Sequence, residues 1–370
     1  MALGVGVIGC GNIAPHYLRN LQRFAAIQLR ALADLDLGLA AQRGADFGLP
    51  ALTPEALLAR EDIDIVLNLT PPLAHAGVTK AALVAGKHVY SEKPLGVTLA
   101  EAQDLAALAR ARGLTLGVAP DTFLGAAHQA ARRLLDTGAI GTVSGGTAFF
   151  LSAGMEAWHP NPGFFFRRGG GPMLDMAPYS LTLLVNLLGP VARVMAMAAT
   201  PRTTRRVTAP GPMQGQEIAV EVPTSLSALL GFASGAQILL GISWDVMAHS
   251  LPHVELYGSA GTLRLADPDQ FGGALRLNQG AGWDEIGSEG AVFGGPEGKW
   301  TDYRGLGLAE MAQALTAGRP PRAGLTQALH VLEVIEALGE AASSGAPRSI
   351  ASRCDRADPL PAEDIALRPA

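Results

Sequence analysis

Leu3-Gly4-Val5-Gly6-Val7-Ile8-Gly9-Cys10-Gly11-Asn12-Ile13-Ala14 is a short apolar run that breaks on two glycines and passes into helical periodicity. Each part has a physical job if a dinucleotide lies over the turn. Gly9 permits the tight turn, Gly11 lets the backbone approach a pyrophosphate, and small Ala14 lets helix and strand pack closely. The helix N-terminus, with Asn12 and Ile13 in its approach, favours phosphate charge. A bare turn explains the glycines alone, but a βαβ context favours cofactor binding.

Working outward, strand and helix signals alternate. Helix Ile13–Phe24 carries Pro15 in its first turn, where proline is tolerated. Strand Ile27–Ala33 ends at Asp34, 23 residues after Gly11 and close to the offset of a ribose-binding carboxylate. The other reading of Asp34 is a solvated turn residue; Asp36 is its weaker competitor. No arginine follows Asp34 closely to receive a 2′-phosphate, so NAD is expected, with NADP possible. Helix Leu37–Phe47, a Thr53-capped turn, strand Ile63–Leu69, helix Ala74–Ala85, strand His88–Ser91, a helix from Thr98 to Arg110 and strand Leu114–Val118 complete a parallel α/β domain.

The pattern then changes. After helix Phe123–Asp136 come strand signals at Thr142–Leu151, Val191–Thr200, Gln216–Val222, Ser225–Phe232, Ala236–Trp244, His253–Tyr257 and Thr262–Leu265. Only Leu181–Leu188 interrupts them as a helix, so this second sheet should be mainly antiparallel. Gly272–Gly298 reads as a long surface loop, Leu306–Thr316 and Leu325–Ala342 as helices, and the chain after Pro347 as extended. The expectation is an N-terminal Rossmann domain over 1–122 and a C-terminal α+β domain with a large open sheet over 123–370.

Composition narrows the function. The 370 residues are 48% hydrophobic and 16% charged, enough apolar surface for two cores. A net charge of −5 argues against nucleic acid or an anionic membrane as partner. Val222–Trp244 is uncharged and long enough to span a bilayer, yet its serines, Pro223 and central Ala-Ser-Gly read better as a hairpin. The start of the chain has no basic region before its glycine turn, unlike a signal peptide. Two distant cysteines, Cys10 and Cys354, fit a reduced cytoplasm. No cluster has metal-ligand spacing, and no Gly-x-Ser-x-Gly is present.

Chemistry gathers where strands end. Asn68-Leu69-Thr70-Pro71-Pro72 closes a central strand at the carboxyl edge, where such sheets bind ligands. His75 lies just beyond, as a cofactor contact or as a helix-start histidine satisfied by backbone. Glu92-Lys93-Pro94 ends the next strand at the same edge, and a residue before proline is held extended. Asp121 follows the last strand, either binding substrate hydroxyls or capping a helix.

Gly9–Ala14, Thr70-Pro71-Pro72 with His75, and Ala85-Gly86-Lys87-His88-Val89-Tyr90-Ser91-Glu92-Lys93-Pro94-Leu95 together resemble the Gfo/Idh/MocA oxidoreductase family over nearly the whole chain. The resemblance implies NAD(P)-dependent oxidation or reduction of a sugar, cyclitol or related hydroxyl or keto compound. It implies cofactor contacts from Gly9, Gly11, Asn12, Ile13, Asp34, Thr70, Pro71, His75, Glu92 and Lys93. It also implies a homodimer or homotetramer built on the C-terminal sheet, both faces of whose hairpin carry apolar residues.

In Gly169-Gly170-Gly171-Pro172-Met173-Leu174-Asp175-Met176-Ala177-Pro178-Tyr179, many family members place histidine four residues after the aspartate. Tyr179 stands there instead, as in the branch similar to glucose–fructose oxidoreductase and dimeric dihydrodiol dehydrogenase. Asp175 and Tyr179, at i and i+4, would share a helical face. The expected catalytic set is Lys93 for proton transfer, Tyr179 as relay and Asp175 as orienting carboxylate. Trp158 and His159 suit a sugar face and its hydroxyls, though a rigid Pro-rich loop also explains them. Arg167 suits an anionic group or a neighbouring subunit. Two rival functions stay open on this fold: an NAD-dependent glycoside hydrolase without net redox change, and a nicotinamide-nucleotide sensor.

Overall fold

The computed structural model describes residues 2–361 and 364–367. Met1 and residues 368–370, at the ends of the expected domain ranges, and residues 362–363 of the expected tail lie outside the described residues. The described chain divides into two compact units. One takes in residues up to Ala126, Trp300–Leu329 and those from Ala357 onward; the other takes in Ala127–Lys299 and His330–Arg356.

The first unit alternates as its apolar pattern dictates. Its elements are β1 (Leu3–Ile8), α1 (Ala14–Leu21), β2 (Ile27–Ala33), α2 (Leu37–Phe47), β3 (Ala51–Leu52), α3 (Pro54–Leu58), β4 (Ile65–Asn68), α4 (Pro72–Val84), β5 (His88–Ser91), α5 (Leu99–Ala111) and β6 (Leu116–Val118). The strands pair in the order β3-β2-β1-β4-β5-β6, every pair parallel. The order reverses between β1 and β4, which makes their carboxyl ends the ligand-binding crevice of a doubly wound sheet. β4 is wholly buried and β1 nearly so, as strands covered on both faces must be. Asp36 caps α2 through the N–H groups of Gly38 and Leu39, and Gly48 closes it in the left-handed conformation.

The second unit begins with α6 (Ala126–Asp136), preceded by a 3₁₀ turn at Thr122–Leu124 where the sequence suggested helix. It continues with β7 (Val143–Leu151), α7 (Gly171–Asp175), α8 (Ala177–Leu188), β8 (Val191–Ala199), β9 (Thr204–Arg206), β10 (Glu217–Ala219), β11 (Ser225–Phe232), β12 (Gln237–Ser243), β13 (Val254–Gly258), β14 (Gly261–Leu265), β15 (Leu275–Asn278) and β16 (Trp283–Ile286). Then come α9 (Leu306–Ala317), within the first unit, α10 (Leu325–Ser344) and the edge strand β17 (Arg348–Ser349). Nine strands run in the order β16-β15-β14-β13-β7-β12-β11-β8-β17. All pairs are antiparallel except β7 with β12. The mainly antiparallel sheet is as expected.

Three local differences stand out. The expected strand at Gln216–Val222 is shorter and pairs with β9 in a separate two-stranded ribbon. Gly272–Gly298 is not all loop: Leu275 and Leu277 turn inward around exposed Arg276 to form β15, a period-two pattern masked by flanking glycines. The extended tail contributes β17. The Val222–Trp244 stretch is the expected hairpin, β11 pairing with β12 in continuous register from Ser225–Ser243 to Gly231–Gln237. Among the described residues no helix is long and apolar enough to cross a membrane.

Sheet alternation separates two faces of the hairpin. Leu226, Ala228, Leu230, Phe232, Ile238, Leu240 and Ile242 are buried. On the other face Leu229 stands opposite both Leu239 and Met195, and all three are exposed, together with Met197.

Candidate active site

The glycine turn sits at the switch point. Gly9 has φ +107°, and a Cβ there would lie 2.5–2.7 Å from the backbone of Leu69 and Thr70, so β1 and β4 approach closely only with glycine. A Cβ on Gly11 would meet nothing within 4 Å. Ala14 is fully buried where α1 packs down, and the N-cap residue of α1 is Ile13, whose apolar side chain makes no capping hydrogen bond. Open space over Gly11 beside that helix end fits a pyrophosphate.

Asp34 is bound into this loop. Its Oδ2 accepts from the Cys10 N–H at 2.7 Å and its Oδ1 from the Asp36 N–H at 3.0 Å. Asp36 is spent on capping α2, which leaves Asp34 as the carboxylate at the end of β2. Sequence reasoning missed Arg43. From α2 its Nε donates to the Cys10 carbonyl at 3.3 Å and its Nη1 to Asp46 at 3.2 Å. Arg43 does not follow Asp34 directly in sequence; α2 returns its side chain to the loop. The Cys10 thiol is pushed up to about 11 by burial and then by the Asp34 charge, so it is an inert packing group.

At the carboxyl ends of β4 and β5, two motifs are tied together. Buried Asn68 donates to the His75 carbonyl and to Thr79 Oγ1, both at 3.0 Å, and its Oδ1 accepts from the Thr70 hydroxyl at 2.6 Å. This fixes the Thr70-Pro71 turn. The His75 ring, also buried, lies between the Thr70 and Pro94 carbonyls, with Nδ1 2.6 Å from the latter. Burial lowers its pKa, outweighing the Pro94 contact and the Glu92 charge. As a neutral ring it donates its one N–H to one of these two carbonyls and lies packed against the other, between the Thr70 turn and the Glu92-Lys93-Pro94 turn. The structure therefore places His75 as a buried ring between the backbones of both motifs.

Glu92 is held from two sides. Its Oε1 accepts from Tyr17 Oη at 2.7 Å, and its Oε2 accepts from the Lys93 N–H at 2.9 Å. Asp121 is fully enclosed. Its Oδ2 accepts from the N–H groups of Gly305 and Gly307 at 3.0 and 2.9 Å, capping α9 rather than the helix that follows it in sequence. Burial is the main reason its pKa rises to about 6.

In the second unit, Asp175 ends α7 and Tyr179 lies in the first turn of α8. The two helices break at Met176, so the pair does not share one continuous helical face. Pro178 explains the break, because its ring cannot follow an unbroken helix. Tyr179 is buried. His159 is brought to Asp175, whose charge raises the imidazole pKa against the larger lowering by burial. Its Nδ1 accepts from the Asn161 N–H at 3.1 Å, which puts the neutral ring's proton on Nε2. Trp158, Phe164 and Phe165 meet the ring edge-on at 5.1–5.5 Å, and Trp158 itself is exposed. Arg167 lies apart on the surface, 3.8 Å from Glu221.

Behind this loop is an anchor that sequence reasoning missed. The Arg205 guanidinium, wholly enclosed, donates to Glu156 at 2.7 Å, to the Trp244 and Ala153 carbonyls and to Asp245, and it lies over the Phe166 ring. No local signal marks it, since its partners come from distant parts of the chain. Among the described residues no group of three or more His, Cys, Asp or Glu side chains could hold a metal ion.

Comparison with known proteins agrees with this geometry. Residues 3–119 match the model of an oxidoreductase family with an NAD-binding Rossmann fold, and residues 128–264 match the GFO/IDH/MocA C-terminal domain. A dTDP-3,4-didehydro-2,6-dideoxy-α-D-glucose 3-reductase of Streptomyces violaceoruber is 33% identical over 77% of this chain and 80% of its own length. A D-apiose dehydrogenase of Paraburkholderia graminis is 29% identical over 70% of this chain and 66% of its own. Among solved structures, an aldose–aldose oxidoreductase from Caulobacter crescentus complexed with glycerol superposes with a TM-score of 0.78 at 25% identity, covering 95% of this chain and 100% of that one.

Proposed function

This chain belongs to the GFO/IDH/MocA oxidoreductase family, and from that premise we propose an NAD-dependent dehydrogenase or reductase acting on a secondary hydroxyl or keto carbon of a sugar or sugar nucleotide. The observation that carries the reading is the edge of β4 and β5, where Asn68 fixes the Thr70 turn and the buried His75 ring packs between that turn and the Glu92-Lys93-Pro94 turn. Gly9, Gly11, Asn12, Ile13, Asp34, Thr70, Pro71 and Glu92 are the residues to hold the cofactor, with buried His75 supporting the Thr70 turn from beneath. When bound, its nicotinamide supplies the hydride exchange. Lys93 takes the hydroxyl proton in the oxidation direction and returns it in reduction. Tyr179 supplies a phenol to relay or donate that proton. Asp175 orients it, and Trp158 with His159 meets the sugar ring and its hydroxyls. Arg167, on the surface, is left for an anionic substrate group.

Asp34 favours NAD over NADP, because a 2′-phosphate would meet its charge. The exposed stripe of Met195, Met197, Leu229 and Leu239 supports association of copies through this sheet face, as a dimer or tetramer. Both cysteines are free and buried, in keeping with a reduced cytoplasmic setting.

The test is the absorbance of reduced nicotinamide, followed with a panel of free sugars, cyclitols and keto sugar nucleotides. The reading expects stoichiometric NADH formation or consumption with at least one of them. A hydrolysed glycoside with no net change in NADH would overturn it.

A further inference from the structure

Tyr17 belongs to none of the motifs, yet it is fully buried on α1 and its hydroxyl is committed to a carboxylate next to the proposed proton-transfer lysine. We propose that Tyr17 is a positioning residue for Lys93, acting through Glu92. The proposal rests on the reading of Lys93 as the proton-transfer group.

The geometry is a clamp around Glu92 and the Lys93 backbone. Tyr17 Oη donates to one oxygen of Glu92 at 2.7 Å, and the Lys93 backbone N–H donates to the other at 2.9 Å. The Ser91 hydroxyl donates to the Glu92 carbonyl at 3.0 Å, and His75 reaches the Pro94 carbonyl on the far side of Lys93. The carboxylate is thus turned toward two neutral donors, one of which fixes the lysine's own backbone. A carboxylate satisfied in this way pulls less on a nearby ammonium than one short of a donor.

Tyr17 suits the task because it stays protonated. Burial raises its pKa well above the ordinary value, and the charges of Glu92 and Asp121 and the neighbouring Tyr90 push the same way. The other titratable groups around Glu92 are His75 from α4, Tyr90 from β5 and Asp121 beyond β6, each of which feels its charge. His75 is driven toward its neutral form and Tyr90 is held protonated, both first by burial. Tyr17 is therefore a constant donor where a histidine would switch.

Removing the hydroxyl leaves Glu92 one donor short and free to draw on the ammonium. Replacing the carboxylate removes that pull altogether. The two changes push the lysine in opposite directions.

The experiment is the pH dependence of kcat/KM for oxidation in wild type, Tyr17→Phe, Glu92→Gln and the double variant, with Lys93→Ala identifying the lysine limb by its loss. In Tyr17→Phe the limb should move to higher pH by roughly half a unit to one unit. In Glu92→Gln it should move to lower pH, and the double variant should match Glu92→Gln, because the tyrosine acts only through that carboxylate. A Tyr17→Phe enzyme slowed equally at every pH, with the limb in place, would show mere packing and overturn the proposal. So would a Tyr17→Phe shift that persists on top of Glu92→Gln, or a Glu92→Gln limb that moves upward. If the limb survives in Lys93→Ala, the lysine reading itself fails, an outcome distinct from those three.

Discussion

The two sheets of this molecule solve burial differently. In the first unit six strands run parallel, the central β1 and β4 are buried almost throughout, and the residues proposed for the chemistry lie at the carboxyl ends. In the second, strands such as β11 alternate strictly, and the outward set is itself apolar at Leu229, Leu239, Met195 and Met197. A sheet buried on both faces writes its binding site into short contiguous strings, because every strand end must turn at the same edge. The second unit instead holds its loops by side chains whose partners are distant in sequence. Glu92-Lys93-Pro94 is an example of the first; the second unit's counterpart is the Arg205 anchor, on the separate β9–β10 ribbon with its partners on other loops.

The sharpest way to break this contrast is to remove the anchor. Arg205→Ala leaves Glu156 and Asp245 without their buried cation, which should cost about 3–5 kcal/mol. Urea denaturation should show the loss. A change under about 1 kcal/mol would mean that these carboxylates find other partners and that the loop carrying Trp158 and His159 does not depend on Arg205.

A smaller effect tests the buried carboxylate of the first unit. Asp121 titrates at about 6 in the fold against 3.8 for the free group. Its contribution to stability is therefore full below the unfolded value and lost as pH rises through the folded one. The shift of about two units corresponds to about 3 kcal/mol as an upper bound. Asp121→Asn keeps an acceptor for Gly305 and Gly307 without the charge. Relative to wild type, the variant should gain stability between pH 4 and pH 7, measured by urea midpoints at both. A constant difference across that range would contradict the assignment.

The least costly change for the fold is on the exposed face. Leu229→Glu should alter monomer stability by no more than about 0.5 kcal/mol, since the side chain already meets water in a single copy. In light scattering it should convert oligomers to monomers. A wild type that is already monomeric at micromolar concentration would remove the proposed role of this face.

What the sequence displayed follows the same division. Gly9, Gly11 and the Glu92-Lys93-Pro94 turn were legible because each motif is local and its backbone requirements are read from a few adjacent residues. The capping role of Asp121 was not, because its two donors, Gly305 and Gly307, lie across the length of the chain. Tyr17 looked like any apolar position on α1, since a buried hydroxyl leaves no periodic trace. In the second unit, Asp175 and Tyr179 stood out as a spacing, but the proline that splits their helix set the real geometry. Arg205 was invisible for a further reason: a buried arginine is defined by its partners, and Glu156 and Asp245 come from separate loops.

The most direct test of Lys93 as proton carrier is the pH–rate profile of Lys93→Ala, taken together with its NAD dissociation constant. The expected result is a kcat lowered by about 10²–10⁴, the usual share of general acid–base catalysis, with the lysine limb gone and NAD affinity nearly unchanged. Lys93→Arg should not restore the rate, because a guanidinium does not give up its proton near neutral pH. A Lys93→Ala enzyme that keeps the limb while binding NAD much more weakly would contradict this, and would make Lys93 a cofactor anchor instead.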